Sequence, residues 1–194
     1  MPVNAMNINS KTTMNIQTER LLIRPLVVTD AHNFHVYRSN QEVTQYQGFD
    51  VMTLEECTAF INDNAEKSYG KPGEWVQFAI ANKTTNELIG DCAVKLDSYD
   101  PRIGEIGITI SHLEQKKGYA KETLLGLLKF LFDQENLHRV VEIVDAENDA
   151  SIALLKSIGF RHEGHFIENI FFKGKWGSEF QYAMLQREWN ALKR

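Results

Sequence analysis

Cysteine is scarce in this chain. Of 194 residues only Cys57 and Cys92 are cysteines, too few for a disulfide framework and without the paired spacing of a zinc site. A reducing, cytoplasmic setting is therefore expected. No apolar run approaches the roughly 20 residues that a membrane-crossing helix needs, so no membrane partner is expected. Positive charge is short as well: 21 Lys and Arg against 26 Asp and Glu give a formal charge of −5. That is the wrong sign for nucleic acid, which asks for a basic face. The Gly-Lys-Ser/Thr ending of a Walker loop is missing, and so is any repeat, low-complexity block or Pro/Gly linker. His32 and His35, like His162 and His165, lie three apart, but neither pair has a Cys or carboxylate at matching spacing, so no metal is expected. The first residues lack the cationic start and apolar centre of a signal peptide. They read as a flexible leader over 1–15, ahead of a single domain over 16–192.

What is present is a succession of strand-like and helix-like segments. Leu21-Leu22-Ile23-Arg24 marks a first strand within 18–25, and Thr29 and Asp30 can cap a helix over 31–39. Thr53-Leu54-Glu55-Glu56 has the form of a capping box opening a helix to about Ser68, and Gly70-Lys71-Pro72-Gly73 breaks it. Segments 75–80 and 88–94 read as paired strands across a polar turn, and 105–110 as a third. Leu124, Leu127, Leu128 and Leu131 share one face of a helix predicted over 120–134. A buried strand follows at 140–144, then a short helix over 148–158 ended by Gly159. Late strands at 164–172 and 180–185 flank the turn Lys173-Gly174-Lys175. This order implies an α/β (α+β mixed) fold, a mixed sheet flanked by helices with one β-α-β unit.

One hexapeptide stands out in that unit: Gln115-Lys116-Lys117-Gly118-Tyr119-Ala120, between the strand at 105–110 and the following helix. The first-turn N–H groups of a helix have no intrahelical acceptors and carry partial positive charge, which suits a phosphate or pyrophosphate.

Gln115, Gly118 and Ala120 meet the acetyl-CoA fingerprint of the GCN5-related N-acetyltransferases (GNAT): Gln or Arg, two residues, Gly, any residue, then Gly or Ala. Thr18-Glu19-Arg20-Leu21 with Ile23-Arg24-Pro25 is similar to the opening of the RimJ/RimL-type branch, which acetylates protein N-terminal amines. Glu105-Ile106-Gly107, His138-Arg139-Val140, Asn148-Asp149-Ala150-Ser151, Gly159-Phe160, Gly174-Lys175-Trp176 and Tyr182-Ala183-Met184-Leu185 follow in that branch's order. The chain thus resembles this superfamily over about 18–189.

The resemblance implies the GNAT fold, a central and mostly antiparallel sheet with a β-α-β acetyl-CoA unit. It implies acetyl-CoA as cosubstrate, with the pyrophosphate on the backbone of residues 117–120 and Gln115 at the entrance to the turn. Lys116, Lys117 and Lys121 would add charge near the phosphates, alongside Tyr119 in the first turn. Ile108, Thr109 and Ile110 match the strand that binds pantetheine and polarises the acetyl carbonyl, and Asn148 matches a pantetheine ligand. Two positions depart from the pattern. The tyrosine that protonates the leaving thiolate in many members is Leu155 here, and Ser151 matches the serine proposed for that role in the RimL-type branch. An aspartate common after the late turn is Ser178.

Acetyl transfer to nitrogen needs a neutral amine. An α-amine with a pKa near 8 is roughly one-tenth neutral at pH 7, whereas a lysine-like amine is neutral only to about a few parts in ten thousand. An α-amine therefore asks less of a base. Glu105 is the expected base, acting through water, and Ser151 the expected acid; the plain alternatives are an ion-paired strand carboxylate and a helix cap. Trp75, Phe78 and Trp176 are candidates to line the acceptor site, with core packing as the ordinary alternative, and His112 could face the cleft or solvent. The expected partner is an amine acceptor, preferably a protein N-terminus, with a polyamine or aminoglycoside as the alternative; the loops at roughly 40–48 and 166–177 would decide between them and carry no readable code. A CoA-binding sensor without turnover is a further rival. The protein would be a monomer or homodimer.

Overall fold

The computed structural model describes residues 14–193. Eight strands form one sheet in the order β1-β2-β3-β4-β5-β6-β8-β7. They are β1 (Ile16–Gln17), β2 (Leu21–Pro25), β3 (Val76–Asn82), β4 (Leu88–Leu96), β5 (Ile103–Ile110), β6 (Arg139–Asp145), β7 (Arg161–Phe172) and β8 (Lys175–Leu185). Every neighbouring pair is antiparallel except β5 and β6. The helices are α1 (Ala31–Arg38), α2 (Gln41–Thr44), α3 (Leu54–Ala65), α4 (Tyr119–Lys129), α5 (Asp149–Ile158) and α6 (Gln186–Leu192).

The central strands are covered on both faces, which explains their nearly unbroken apolar runs. Phe78, Ile80, Cys92 and Val94 pack with Leu124, Leu127 and Leu155 in one cluster under α4 and α5. Ala79, turned the other way by the period of two, packs with Phe34, Tyr37 and Ile61 under α1 and α3. No helix among the described residues is long and apolar enough to cross a membrane.

The capping box at α3 forms as its sequence predicts: Thr53 Oγ1 accepts from Glu56 N, and Glu56 Oε2 accepts from Thr53 N. Gly159 caps α5 in the left-handed region at φ 100°. Other boundaries differ from the sequence reading. The last helix turn of the motif unit is a π turn, Phe130–Gln134, which places the consecutive Phe130, Leu131 and Phe132 in the interior together. The expected leader lies mostly outside the described residues, but Met14 at its end is fully buried in the core and Ile16–Gln17 pairs with β2.

Candidate active site

β5 and β6 pair as parallel strands at only three positions, Ile103 with Arg139, Gly104 with Val140 and Glu105 with Val141. Beyond Glu105 the strands part, while β5 stays paired with β4 as far as Ile110. Asp97 N donates to Ile103 O and Ser111 N to Ile89 O, so the odd-numbered residues of β5 direct their backbone groups at β4. Past the last bridge to β6, Ile108 and Ile110 turn theirs into the fork. Thr109 directs its backbone at Asp91 of β4 instead, and is almost fully buried. Gly90 lets the two strands come this close, since a Cβ there would sit 2.4 Å from Thr109 O.

The loop after β5 leads straight into α4. Gln115 Nε2 donates to Ile110 O at 3.2 Å and folds the loop back on the strand. Lys116 and Gly118 are left-handed at φ 62° and 81°, and such alternation forms concave nests of N–H groups. Among the described residues, no hydrogen bond takes up the N–H of Lys116, Lys117, Gly118, Tyr119, Ala120 or Lys121. Arg20 fixes the loop from β2's side: its guanidinium donates to Lys117 O, pairs with Glu122 at 2.7 Å and lies 4.5 Å over the Tyr119 ring. Lys117 Nζ is held by Glu114 at 2.9 Å, and Lys121 Nζ reaches Ser157 O on α5 at 3.3 Å. This donor set and the open edge of β5 fit a phosphorylated, amide-bearing carrier such as CoA.

Asn148 and Ser151 sit at the start of α5, which packs beside α4. The cap is Asn148, whose Oδ1 accepts from Ser151 N at 3.1 Å. Ser151 Oγ carries no bond among the described residues, and Leu155 is fully buried in the core.

On the sheet's other face lies a cavity of about 810 Å³. Glu105, Gly107, Ile108 and Thr109 line it, so the fork opens into it, whereas Asn148, Ser151 and His112 do not. Trp75 lines it as well; Phe78 is buried beneath α4, and Trp176 is exposed on β8. One wall is a buried polar group: Arg38 pairs with Asp91 at 2.7 Å, Tyr37 donates to the same carboxylate at 2.7 Å, and Gln77 also donates to it. Burial first, then the Asp91 charge, pushes the Tyr37 hydroxyl well up. On the opposite wall Asp145 and Glu179 are cross-strand partners, and neither has an ion-pair partner among the described residues. Ser178, where the branch has an aspartate, accepts from Glu168 N through Oγ. The sequence reading passed over Arg20, Arg38, Lys95 and this carboxylate pair. Only contacts between segments distant in sequence expose them, and the lone lysine in the apolar run of β4 was the one signal available beforehand.

A mixed sheet forked in this way, with a helix starting at its mouth, is the fold of an N-acetyltransferase. The family described as "Acetyltransferase (GNAT) domain" matches residues 20–161, and the chain belongs to it. It is similar to "Uncharacterized N-acetyltransferase YnaD" of Bacillus subtilis strain 168, with 35% identity over 181 residues, 91% of this chain and 100% of YnaD. It is also similar to the solved GNAT-family acetyltransferase of Bacillus anthracis, with a TM-score of 0.80 at 30% identity, covering 90% of this chain and 99% of that one. The spermidine N(1)-acetyltransferase of Vibrio cholerae is 27% identical over 177 residues, 88% of this chain and 95% of its own.

Proposed function

We propose that the protein transfers an acetyl group from acetyl-CoA to a cationic primary amine, by direct attack of that amine. The observation that carries this reading is the fork, whose unpaired edge opens into a cavity with unneutralised carboxylates. When bound, acetyl-CoA supplies an activated thioester. Residues 116–121 hold the pyrophosphate through their free N–H groups, with Lys116, Lys117 and Lys121 adding charge. Ile108 and Ile110 present backbone donors along the carrier arm and toward the carbonyl, where negative charge develops. Thr109 lines the wall beside them, and Asn148 serves the arm from α5. Glu105 takes the proton that the acceptor ammonium must lose before nitrogen can form the new bond to carbon. Ser151 Oγ donates to the departing sulfur as the carbon–sulfur bond breaks.

Two acceptors carry specific support. The RimJ/RimL-type resemblance and the easier deprotonation of an α-amine favour a protein N-terminus. The facing Asp145 and Glu179 favour a second cation on the acceptor, and similarity to a spermidine N(1)-acetyltransferase points to a polyamine. A panel of peptide N-termini and polyamines, read by release of free thiol, tests both. Turnover of basic N-terminal peptides alone supports the first and turnover of spermidine alone the second. Silence across the panel rejects the proposal.

A further inference from the structure

Three side chains form a row across the cavity face of the sheet, one from each of three neighbouring strand positions. Lys95 on β4 stands directly opposite Glu105 on β5, and its ammonium lies 2.5 Å from Glu105 Oε2. On its other side the ammonium sits 4.6 Å over the ring of Trp75, the residue just before β3. Lys95 is the one residue of β4 that is not buried. Glu105 is also the last residue of β5 to pair with β6, so this row ends at the apex of the fork. One oxygen of Glu105 is therefore engaged, and Oε1 has no bond among the described residues.

We infer that Lys95 is a positioning residue for Glu105, held in turn by Trp75, an inference that rests on Glu105 acting as the base. The clamp on Oε2 fixes the carboxylate plane and leaves Oε1 to face the acceptor. Its charge has a second effect. The acceptor arrives as an ammonium, and an uncompensated carboxylate favours the charged form of a neighbouring amine. Glu105 alone would hold the acceptor in its unreactive state. A cation on the far oxygen offsets that hold while leaving a lone pair to receive the proton. The cation–π contact keeps the ammonium beside Glu105 and away from the carboxylates across the cavity. The side chain works through Glu105 and touches no reacting atom, so its removal should slow turnover without loosening either substrate.

The test compares the wild type with Lys95→Met, Lys95→Gln, Lys95→Arg, Glu105→Gln and the double variant Lys95→Met/Glu105→Gln. The acceptor is whichever of spermidine or a basic N-terminal peptide turns over. Lys95→Met and Lys95→Gln should lose about 10-fold in kcat, a fraction of what a general base contributes. Acceptor KM and acetyl-CoA Kd should stay within about twofold. Lys95→Arg should recover most of the loss, and the double variant should be no slower than Glu105→Gln alone. Wild-type kcat in both neutral variants, a loss confined to KM, or losses that multiply in the double variant would overturn the inference. If Glu105→Gln keeps full kcat, the base assignment falls and the inference falls with it. If Glu105→Gln is slow while both neutral Lys95 variants are unimpaired, only the inference falls.

Discussion

Lys173, in the turn between β7 and β8, donates from its ammonium to the carbonyl oxygen of Thr44 at 2.6 Å, joining segments 129 residues apart. Thr44 ends α2, and its carbonyl also accepts from Gln47 N at 2.9 Å, so the lysine takes up the second lone pair of a carbonyl that the turn after the helix already uses. The two segments joined both wall the cavity, and Lys173 lines it itself. Lys173→Ala should raise the KM of the acceptor several-fold and leave acetyl-CoA Kd unchanged. Calorimetric titration of acetyl-CoA beside steady-state kinetics checks this, and equal weakening of both substrates would count against it.

Gly90 faces Ile110 across the β4–β5 ladder, and a Cβ there would meet backbone at Thr109 O. Backbone cannot swing aside as a flexible side-chain end can, so β5 itself must shift. Gly90→Ala should cost about 1–3 kcal/mol of stability, as overpacking does, and should raise acetyl-CoA Kd because the displaced strand edges the fork. Chemical denaturation and ligand titration read the two effects separately.

Gly118 holds a left-handed conformation at φ 81° directly ahead of α4. A side chain there adds about 1–2 kcal/mol of backbone strain, relieved if the loop turns its N–H groups away. Gly118→Ala should weaken acetyl-CoA about 10-fold and reduce the melting-temperature rise that the ligand produces. An undiminished thermal shift at the same ligand concentration would remove the loop from the binding site.

Glu142, in the middle of β6, is a buried carboxyl with Oε2 unpartnered, and burial pushes it from an ordinary value of 4.5 up to about 8. Between these values the unfolded chain has released the proton while the folded chain keeps it. The folded state then binds more protons, so stability falls as pH rises from about 4.5 to about 8, and this contribution is level on either side. Each unit of that window is about 1.4 kcal/mol at most. Melting temperature should decline from pH 5 to pH 8, and Glu142→Gln should flatten the decline and melt higher at pH 8. Parallel slopes in the two proteins would show that another group governs it.

The sequence revealed most where the chain determines its own local form. The Thr53–Glu56 box, the Gly159 cap and the glycine before α4 are short-range devices, and each could be placed from neighbouring residues alone. The Gln115–Ala120 loop was legible for the same reason. The cavity was not. Arg38 meets Asp91 across 53 residues, and Lys173 meets Thr44 across 129, pairings that no local pattern encodes. Glu105 illustrates the boundary between the two. Its strand could be identified, but its ammonium partner depended on the register of β4, which shifts at a bulge between Ile80 and Ala81 only on the β3 side. β1 and α2 were missed because a strand of two residues and a helix of four are too short to show a period.

The three paired positions that join β5 to β6 act as a fulcrum. From Glu105 to Ile110 the arm is about 17 Å long at the usual rise per strand residue and is tied to β4 alone, so the two strands swing together and a rotation of about 5° at the join moves the mouth by roughly 1.5 Å. Gly104 sits in that join, and a Cβ on it would press on Leu137 at 2.7 Å. The side chains that set the gape are thus remote from anything the mouth grips. Residues such as Gly104 and Leu137 can tune the hold on a ligand by leverage, at a distance from which contact maps would never implicate them.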